Sequence, residues 1–486
     1  MTTVIRWLDE RAGLRPFFRA IFLRHIPVGT DWWYSLGSAA LFLFLLQVAT
    51  GTLLAMSYSP TPERAYDSIR FIMGEVPFGW FIRGLHHWGA SAMVAVVLLH
   101  LVSVFVMGSH RYPREAIWLA GVGLFLVTLG FGFTGYLLPW DQKAYWATTV
   151  GTNMAGTVPG VGPALVKLIR GSTEVGAVTL VRFYAMHTLL FPLAISALAT
   201  IHLVLVVYHG VSVPPGLWHK GQAAKPKDNP GAEKASIYQE RYAAFKSRGS
   251  TFWPDLIVED LRTALFIFLI LIGLTVFVGV PLDERADPTD TSYIPRPEWY
   301  FMALFEILKY FPGHLEWVGV ALVPGLVVLL IVLVPWLSGG EERRALRRPL
   351  GMVTLALILV ATTGLTVRAY QATPPSQMVE WGLPLTSQQL RGRQLIQQQG
   401  CRSCHVIAAK TEWKEGSGTT ERVQGPTLDG IRERMTTADI HFFMEKPKAI
   451  NPEATMKPLI PPLSHEDVEA ITQYLLTLEG EVRQDE

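Results

Sequence analysis

Cys401, Cys404 and His405 stand together in "GCRSCHVI" and include both cysteines of the chain. Two cysteines separated by two residues and followed by histidine form the c-type haem attachment pattern. The thiols would bond the two vinyl groups of a haem, and His405 would ligate its iron. A redox CxxC, or half of a zinc site, shares part of the pattern. A tetrahedral zinc site needs two further ligands at suitable spacing, and the nearby sequence offers only His441. Covalent haem is therefore the expected chemistry. The sixth iron ligand is expected to be Met456, in the Pro-rich "INPEATMKPLIPPLS". Met435 and Met444, at "TTADIHFFMEK", read as packing residues. A His–Met pair would raise the reduction potential.

A second set of candidates lies in apolar surroundings. His86 and His100 are fourteen residues apart, and His187 and His202 fifteen. On ideal helices the first pair lies about 40° from eclipsed and ~21 Å apart, the second about 60° and ~22 Å. Pro192 lies between His187 and His202, where a proline can bend a helix. Polar residues deep in a membrane are costly and usually functional. Two histidines on each of two helices, at matching depths, make two ligand pairs suited to two non-covalent haems. Hydrogen-bonded histidines packing two helices explain two matched pairs poorly. Gly37 and Gly51, and Gly121 and Gly135, repeat the fourteen-residue spacing. Bare backbone there would admit a flat macrocycle, although small residues also serve helix packing in membranes. His87 reads as an interfacial neighbour.

The elements that must carry these residues are membrane spans. Half of the 486 residues are hydrophobic, and 42 basic against 40 acidic residues leave a net charge of +2. That composition argues against a soluble enzyme or a nucleic-acid binder. Spans of about 20 largely uncharged residues are expected at 34–56, 85–107, 117–138, 183–208, 263–280, 318–337 and 350–367. The Gly- and Pro-rich connection from 141 to 182 reads as helices lying at the interface. Basic residues gather before the first span (Arg6 to Arg24), after the second (Arg111, Arg114), after the fourth (Lys220 to Arg248) and after the sixth (Arg343 to Arg348). All these loops fall on one face, expected to be cytoplasmic. Seven spans then place the C-terminal haem motif outside. The N-terminal stretch lacks the apolar core and cleavage site of a signal peptide, so the first span is expected to direct insertion.

Four stretches carry a resemblance. "GWFIRGLHHWGASAMVAVVLLH", "GFTGYLLPWDQKAYWA", "RFYAMHTLLFPL" and "PRPEWYFMALFEIL" resemble cytochrome b of the quinol-oxidising cytochrome bc complexes. The fifteen-residue spacing is similar to the b6 branch. Residues 1–215 resemble the di-haem cytochrome b6 four-helix bundle, and 250–370 the three helices of subunit IV, with linkers at 216–249 and 371–384. Residues 385–486 resemble a class I-like cytochrome c, "VQGPTLDGI" packing on the haem edge. The resemblance implies an all-α membrane protein that oxidises quinol at an outer site and bifurcates its electrons. His86 and His187 would hold the outer haem, and His100 and His202 the inner one. Arg83 would join the four glycines in packing the haems. Pro297, Glu298, Trp299 and Tyr300 would line the quinol site, with Glu298 as proton acceptor; burial in an apolar pocket favours that role. Tyr136, Pro139 and Trp140 would form the opposing wall. A Glu near a helix start can instead be a capping charge.

The implied partners are a Rieske iron–sulfur protein, membrane quinone, a downstream cytochrome or oxidase, and a second copy of the chain, in a bacterial cytoplasmic membrane. Two departures concern the inner site. The b6 branch tethers an additional haem through a cysteine where this chain has Ser35, so such a haem is expected to be absent or held without a thioether. An apolar "LVLVVYHG" follows His202 where the chloroplast-type protein has a basic residue. Arg24, His25, Tyr208 and His209 are expected near the cytoplasmic surface, where they could carry protons and read rather as interface anchors. The rival readings are a b-type cytochrome passing dehydrogenase electrons to quinone without bifurcation, and a transporter binding haem or another solute transiently.

Overall fold

In a computed structural model, the described residues are 2–220, 232–288, 293, 297–340, 342–372, 386–399, 401, 405, 428, 430–446 and 463–478. They are all-α, with two isolated β-bridges, His25 to Thr251 and Asp141 to Arg285. The chain divides into two compact units, Met1–Ser376 and Gln377–Glu486.

The first unit begins with two short helices, α1 (Thr2–Ala12) and α2 (Leu14–Phe22). All seven expected spans are present as helices long and apolar enough to cross a membrane: α3 (Trp32–Ala55), α5 (Gly79–Val106), α6 (Glu115–Tyr136), α9 (Ala177–His209), α12 (Phe252–Val278), α14 (Gly313–Leu337) and α15 (Pro349–Ala372). Between the first four spans lie α4 (Ala65–Gly74), and α7 (Gln142–Gly156) and α8 (Gly162–Arg170) in the connection expected to be interfacial. The stretch expected as a linker carries α10 (Pro215–Lys220) and α11 (Ala232–Ser247). α13 (Trp299–Leu308) packs against α15.

Spans α3 and α5 pack together, α6 packs on α9, and α12 lies against α3 and α5. Leu43, Leu85, Met93, Ile195 and Leu271 form a buried core from four of these helices. With water absent at this depth, each span satisfies its backbone internally. Two departures from α geometry precede prolines. Met186–Leu190 in α9 and Val318–Leu322 in α14 each form a π turn, followed by Pro192 and Pro324. Proline lacks the N–H that would extend the regular ladder.

The second unit contains α16 (Ser387–Gln398), α17 (Ile431–Arg434), α18 (Thr437–Glu445) and α19 (His465–Leu475). Its core joins Ile396, Ile431, Ile440, Ile471, Tyr474 and Leu475. A Cβ at Gly392 would run into the Ala470 backbone, so α16 and α19 cross with their backbones in close approach. Met435 and Met444 pack against this core, as expected.

Candidate functional site

The outer and inner ends of the first unit are named here for the orientation expected from the basic loops. At the outer end, the rings of His86 on α5 and His187 on α9 face each other with centroids 6.2 Å apart and planes at 72°. Imidazole nitrogens bind transition metals at about 2 Å, so two rings ligating one iron from opposite sides place their centroids about 6 Å apart. The observed spacing fits one shared iron.

Neighbouring hydroxyls fix the tautomer. Thr50 Oγ1 lies 3.0 Å from His86 Nδ1, and Thr134 Oγ1 3.4 Å from His187 Nδ1. Each threonine already donates its single proton to a carbonyl one turn back, Thr50 to Leu46 at 2.7 Å and Thr134 to Gly130 at 2.9 Å. The threonines therefore accept from Nδ1–H, which leaves each Nε2 unprotonated for a metal. The sequence reading missed these two residues. Their signal is a "TG" pair, Thr50–Gly51 and Thr134–Gly135, on the two helices flanking the ligands.

Each of the four glycines faces one histidine. A Cβ would meet Cε1 of His187 at 2.5 Å from Gly135, of His86 at 3.0 Å from Gly51, of His100 at 3.3 Å from Gly37, and of His202 at 3.4 Å from Gly121. The bare backbone at these four positions leaves room against the imidazole rings.

The π turn explains the unequal spacings. His187 lies in it, and Phe191 N–H donates to Met186 O five residues back. One i→i+5 bond places one more residue in the turn than an α turn holds. Fifteen residues then advance like fourteen, and the pair on α9 comes to about 40° from eclipsed, like the pair on α5. The phase change expected at Pro192 is thus made in the turn before it.

Arg83 is buried and donates to the carbonyls of Val280 at 3.4 Å and Pro281 at 2.9 Å. It ties α5 to the segment leaving α12. Trp140, at φ 53, sits in a core with Leu137, Tyr145 and Phe183. Pro139 lies in the turn closed by Trp140 N–H to Leu137 O at 3.0 Å.

Glu298 is the N-cap residue of α13, yet its side chain makes no cap hydrogen bond. Its carboxylate is turned to a partner on another helix instead. Its Oε1 lies 3.2 Å from Lys143 Nζ on α7. The pocket expected to be apolar therefore holds an ammonium, which stands 5.5 Å from the centre of the Tyr136 ring. Pro297 is buried beside Glu298, and Trp299 packs edge-on against Tyr300 at 5.4 Å. Tyr300 reaches α6 at Gly132, where a Cβ would come 2.7 Å from its hydroxyl. The structure thus brings together Glu298, Tyr300, Tyr136 and Lys143.

A clasp of backbone and carboxylates steadies this end. Asp141 Oδ1 caps Ala144 N–H at 2.8 Å, and its Oδ2 accepts from Asp283 N–H at 3.2 Å. Gln142 N–H donates to Glu284 O at 2.7 Å. Asp283 accepts from the Tyr293 hydroxyl at 2.6 Å, and burial pushes its carboxyl up to about 6. At the inner end, Ser35 is fully buried, 2.9 Å from Thr263 Oγ1 and bonded to Trp32 O. His25 pairs with Thr251, Arg24 covers the Phe252 ring, Tyr208 is exposed and packs on His209.

In the second unit, His405 N–H donates to Cys401 O at 3.0 Å, which brings the two residues together. Cys404 and Met456 lie outside the described residues.

Three family models match in order: Cytochrome b/b6/petB over residues 24–210, Cytochrome b(C-terminal)/b6/petD over 285–383, and Cytochrome c over 389–479. The cytochrome bc complex cytochrome b subunit of Chlorobaculum thiosulfatiphilum is 35% identical over 74% of this chain and 80% of its own. The chain belongs to the cytochrome b/b6 family. Cytochrome b6 of Synechococcus sp. (strain JA-3-3Ab) is 42% identical over 44% of this chain and all of its own. A solved chain titled "Hyperthermophilic respiratory Complex III" superposes with a TM-score of 0.63 at 28% identity, over 76% of this chain and 92% of that one. The protein is thus a multi-pass cytochrome b/b6 fused to a cytochrome c domain, a subunit of a quinol-oxidoreductase complex of the bc type, and its domains imply haem b and haem c.

Proposed function

We propose that this chain oxidises quinol at its outer end in a bifurcating quinol–cytochrome c reductase. One electron passes to a Rieske iron–sulfur protein and one into the membrane domain, whose two b haems and covalent c haem supply one-electron carriers when bound. His86 with His187, and His100 with His202, hold the b haems; Cys401, Cys404, His405 and Met456 hold the c haem. The complex lies in a bacterial cytoplasmic membrane as a homodimer, with the cytochrome c domain outside, handing electrons to a downstream cytochrome or oxidase.

The observation that carries this reading is the Glu298 carboxylate. It lies 3.2 Å from Lys143, whose ammonium stands on the Tyr136 ring, at the end of the bundle where Tyr300 meets Gly132 and His187 meets Gly135. A quinol bound there must lose protons as it loses electrons. Tyr136 and Tyr300 exclude water, and Glu298 receives a proton from a quinol hydroxyl. A b-type cytochrome that only delivers electrons to quinone has no use for such an acceptor.

Glu298→Gln tests it. Glutamine keeps the shape but cannot take a proton, and general-base contributions are about 10²–10⁴-fold. Quinol-dependent reduction of the c-type haem should slow by at least ~10-fold, less so at high pH, with all haem spectra intact. Wild-type turnover across pH would remove Glu298 from the reaction. Inhibition by outer-site quinol analogues and co-purification of a Rieske protein separate this function from the one-way alternative.

A further inference from the structure

Lys143 occupies a position that disfavours it. It is the second residue of α7, after N-cap Asp141, where a cation works against the helix dipole. Its side chain is 22% exposed, and that of Glu298 18%. Neither charge would be at ease there alone, since partly buried ions need partners. Together they make an ion pair at 3.2 Å, and the Tyr136 face adds a cation–π contact.

The position of Lys143 is fixed from both sides. Asp141 caps Ala144 N–H at 2.8 Å. Gln142 donates its N–H to Glu284 O at 2.7 Å and accepts from Asp287 N–H at 2.9 Å. The loop held by these bonds is the one that runs on towards Pro297 and Glu298. These bonds fix where α7 begins, and with it the place of the ammonium.

We infer that Lys143 is a positioning residue for quinol oxidation: it holds the Glu298 carboxylate against α7 and yields it as a quinol hydroxyl docks. This rests on the reading of Glu298 as proton acceptor. In the step, the quinol O–H bond breaks and its proton bonds to a Glu298 oxygen. The accompanying electron goes to the Rieske-type acceptor. Lys143 keeps its proton and loses its anionic partner. The groups that face Glu298 are Lys143 from α7, His87 from α5, Tyr136 from α6 and Tyr300 from α13. An opposite charge close by favours a charged carboxylate, and the lysine supplies that charge at 3.2 Å.

The test uses the purified complex with Lys143→Met, Lys143→Arg, and Lys143→Met combined with Glu298→Gln. Lys143→Met should move the acid limb of quinol-dependent turnover to higher pH. Turnover should fall roughly 3- to 10-fold on that limb and recover in alkali. Lys143→Arg, which keeps the charge, should leave the limb in place. In the Glu298→Gln background, Lys143→Met should add no further pH shift. An unmoved limb in Lys143→Met, or an equal slowing at every pH that persists without Glu298, would overturn the inference while leaving the quinol site standing. A Glu298→Gln enzyme with wild-type turnover would instead overturn the quinol reading itself.

Discussion

The two ends of the four-helix bundle repeat one plan with different tolerances. Each has two histidines facing two glycines. At the outer end a Cβ would stand 2.5 and 3.0 Å from the imidazoles, at the inner end 3.3 and 3.4 Å. Hydroxyls of Thr50 and Thr134 orient the outer rings, whereas Leu36 and Ala120 precede the inner glycines. The fastenings differ as well. The outer end is clasped by buried carboxylates, Asp141 and Asp283, with a single buried arginine, Arg83, on the Val280 and Pro281 carbonyls. At the inner end, buried arginines grip carbonyls at helix C-termini: Arg348 holds Phe105 and Val106, Arg114 holds His209 and Gly210, and Arg111 holds Gly339 and Gly340. Cations at that pole complement the helix dipoles. The outer site is built tight around its ligands, while the inner site is held by its periphery.

The sharpest break of this comparison comes from the glycines. Gly135→Val should cost about 10-fold or more in occupancy of the outer b haem, since overpacking costs about 1–3 kcal/mol. Gly121→Ala should leave the inner haem in place, because 3.4 Å is ordinary contact. Redox-difference spectra of the two variants give the answer, and equal losses would erase the asymmetry.

Next is the pH response of the outer clasp. Asp283 binds its proton up to about 6 in the folded chain against 3.8 ordinarily. Between those values the native state holds the extra proton, so stability falls as pH rises through that window. The full cost above it is on the order of 3 kcal/mol. Asp283→Asn should flatten this dependence, as read from unfolding midpoints at pH 4.5 and 7. A dependence that survives the substitution would assign it elsewhere.

Arg348→Met should lower stability by about 2 kcal/mol through the orphaned Phe105 and Val106 carbonyls. Thermal unfolding in detergent should show it, with no change in the outer haem spectrum. The smallest effect is expected of Ser35→Ala. It loses a buried hydroxyl pairing with Thr263, about 1 kcal/mol, and no haem signal should move. A lost spectral component would reveal a further haem that Ser35 supports.

Much of this was legible in the residues. The seven spans announce themselves as apolar runs, because a bilayer fixes their length. The histidine pairs show through spacing, because α geometry converts fourteen residues into a fixed depth and direction. The glycine repeat pointed to the positions that stand against the four imidazoles, since spacing gives depth. Thr50 and Thr134 were hidden because a membrane threonine commonly bonds its own helix, and only coordinates show the second bond. Lys143 was invisible as a partner of Glu298 because 155 residues separate them. Arg83 and Trp140 stand inside the expected motifs, but long-range contacts decide that they face the Val280–Pro281 carbonyls and the Phe183 core.

The π turn at Met186–Leu190 bears on how relatives should be aligned. An inserted residue in a regular helix rotates everything beyond it by about 100°, which would ruin a bundle that grips a planar group from both sides. Here the surplus is stored in one widened turn, and the chain on either side keeps its phase. A gap at this place in an alignment therefore marks no loss of a ligand and no change of depth. Counting residues between ligands measures chain length; the hydrogen-bond ladder measures geometry, and in this helix the two rulers differ by one.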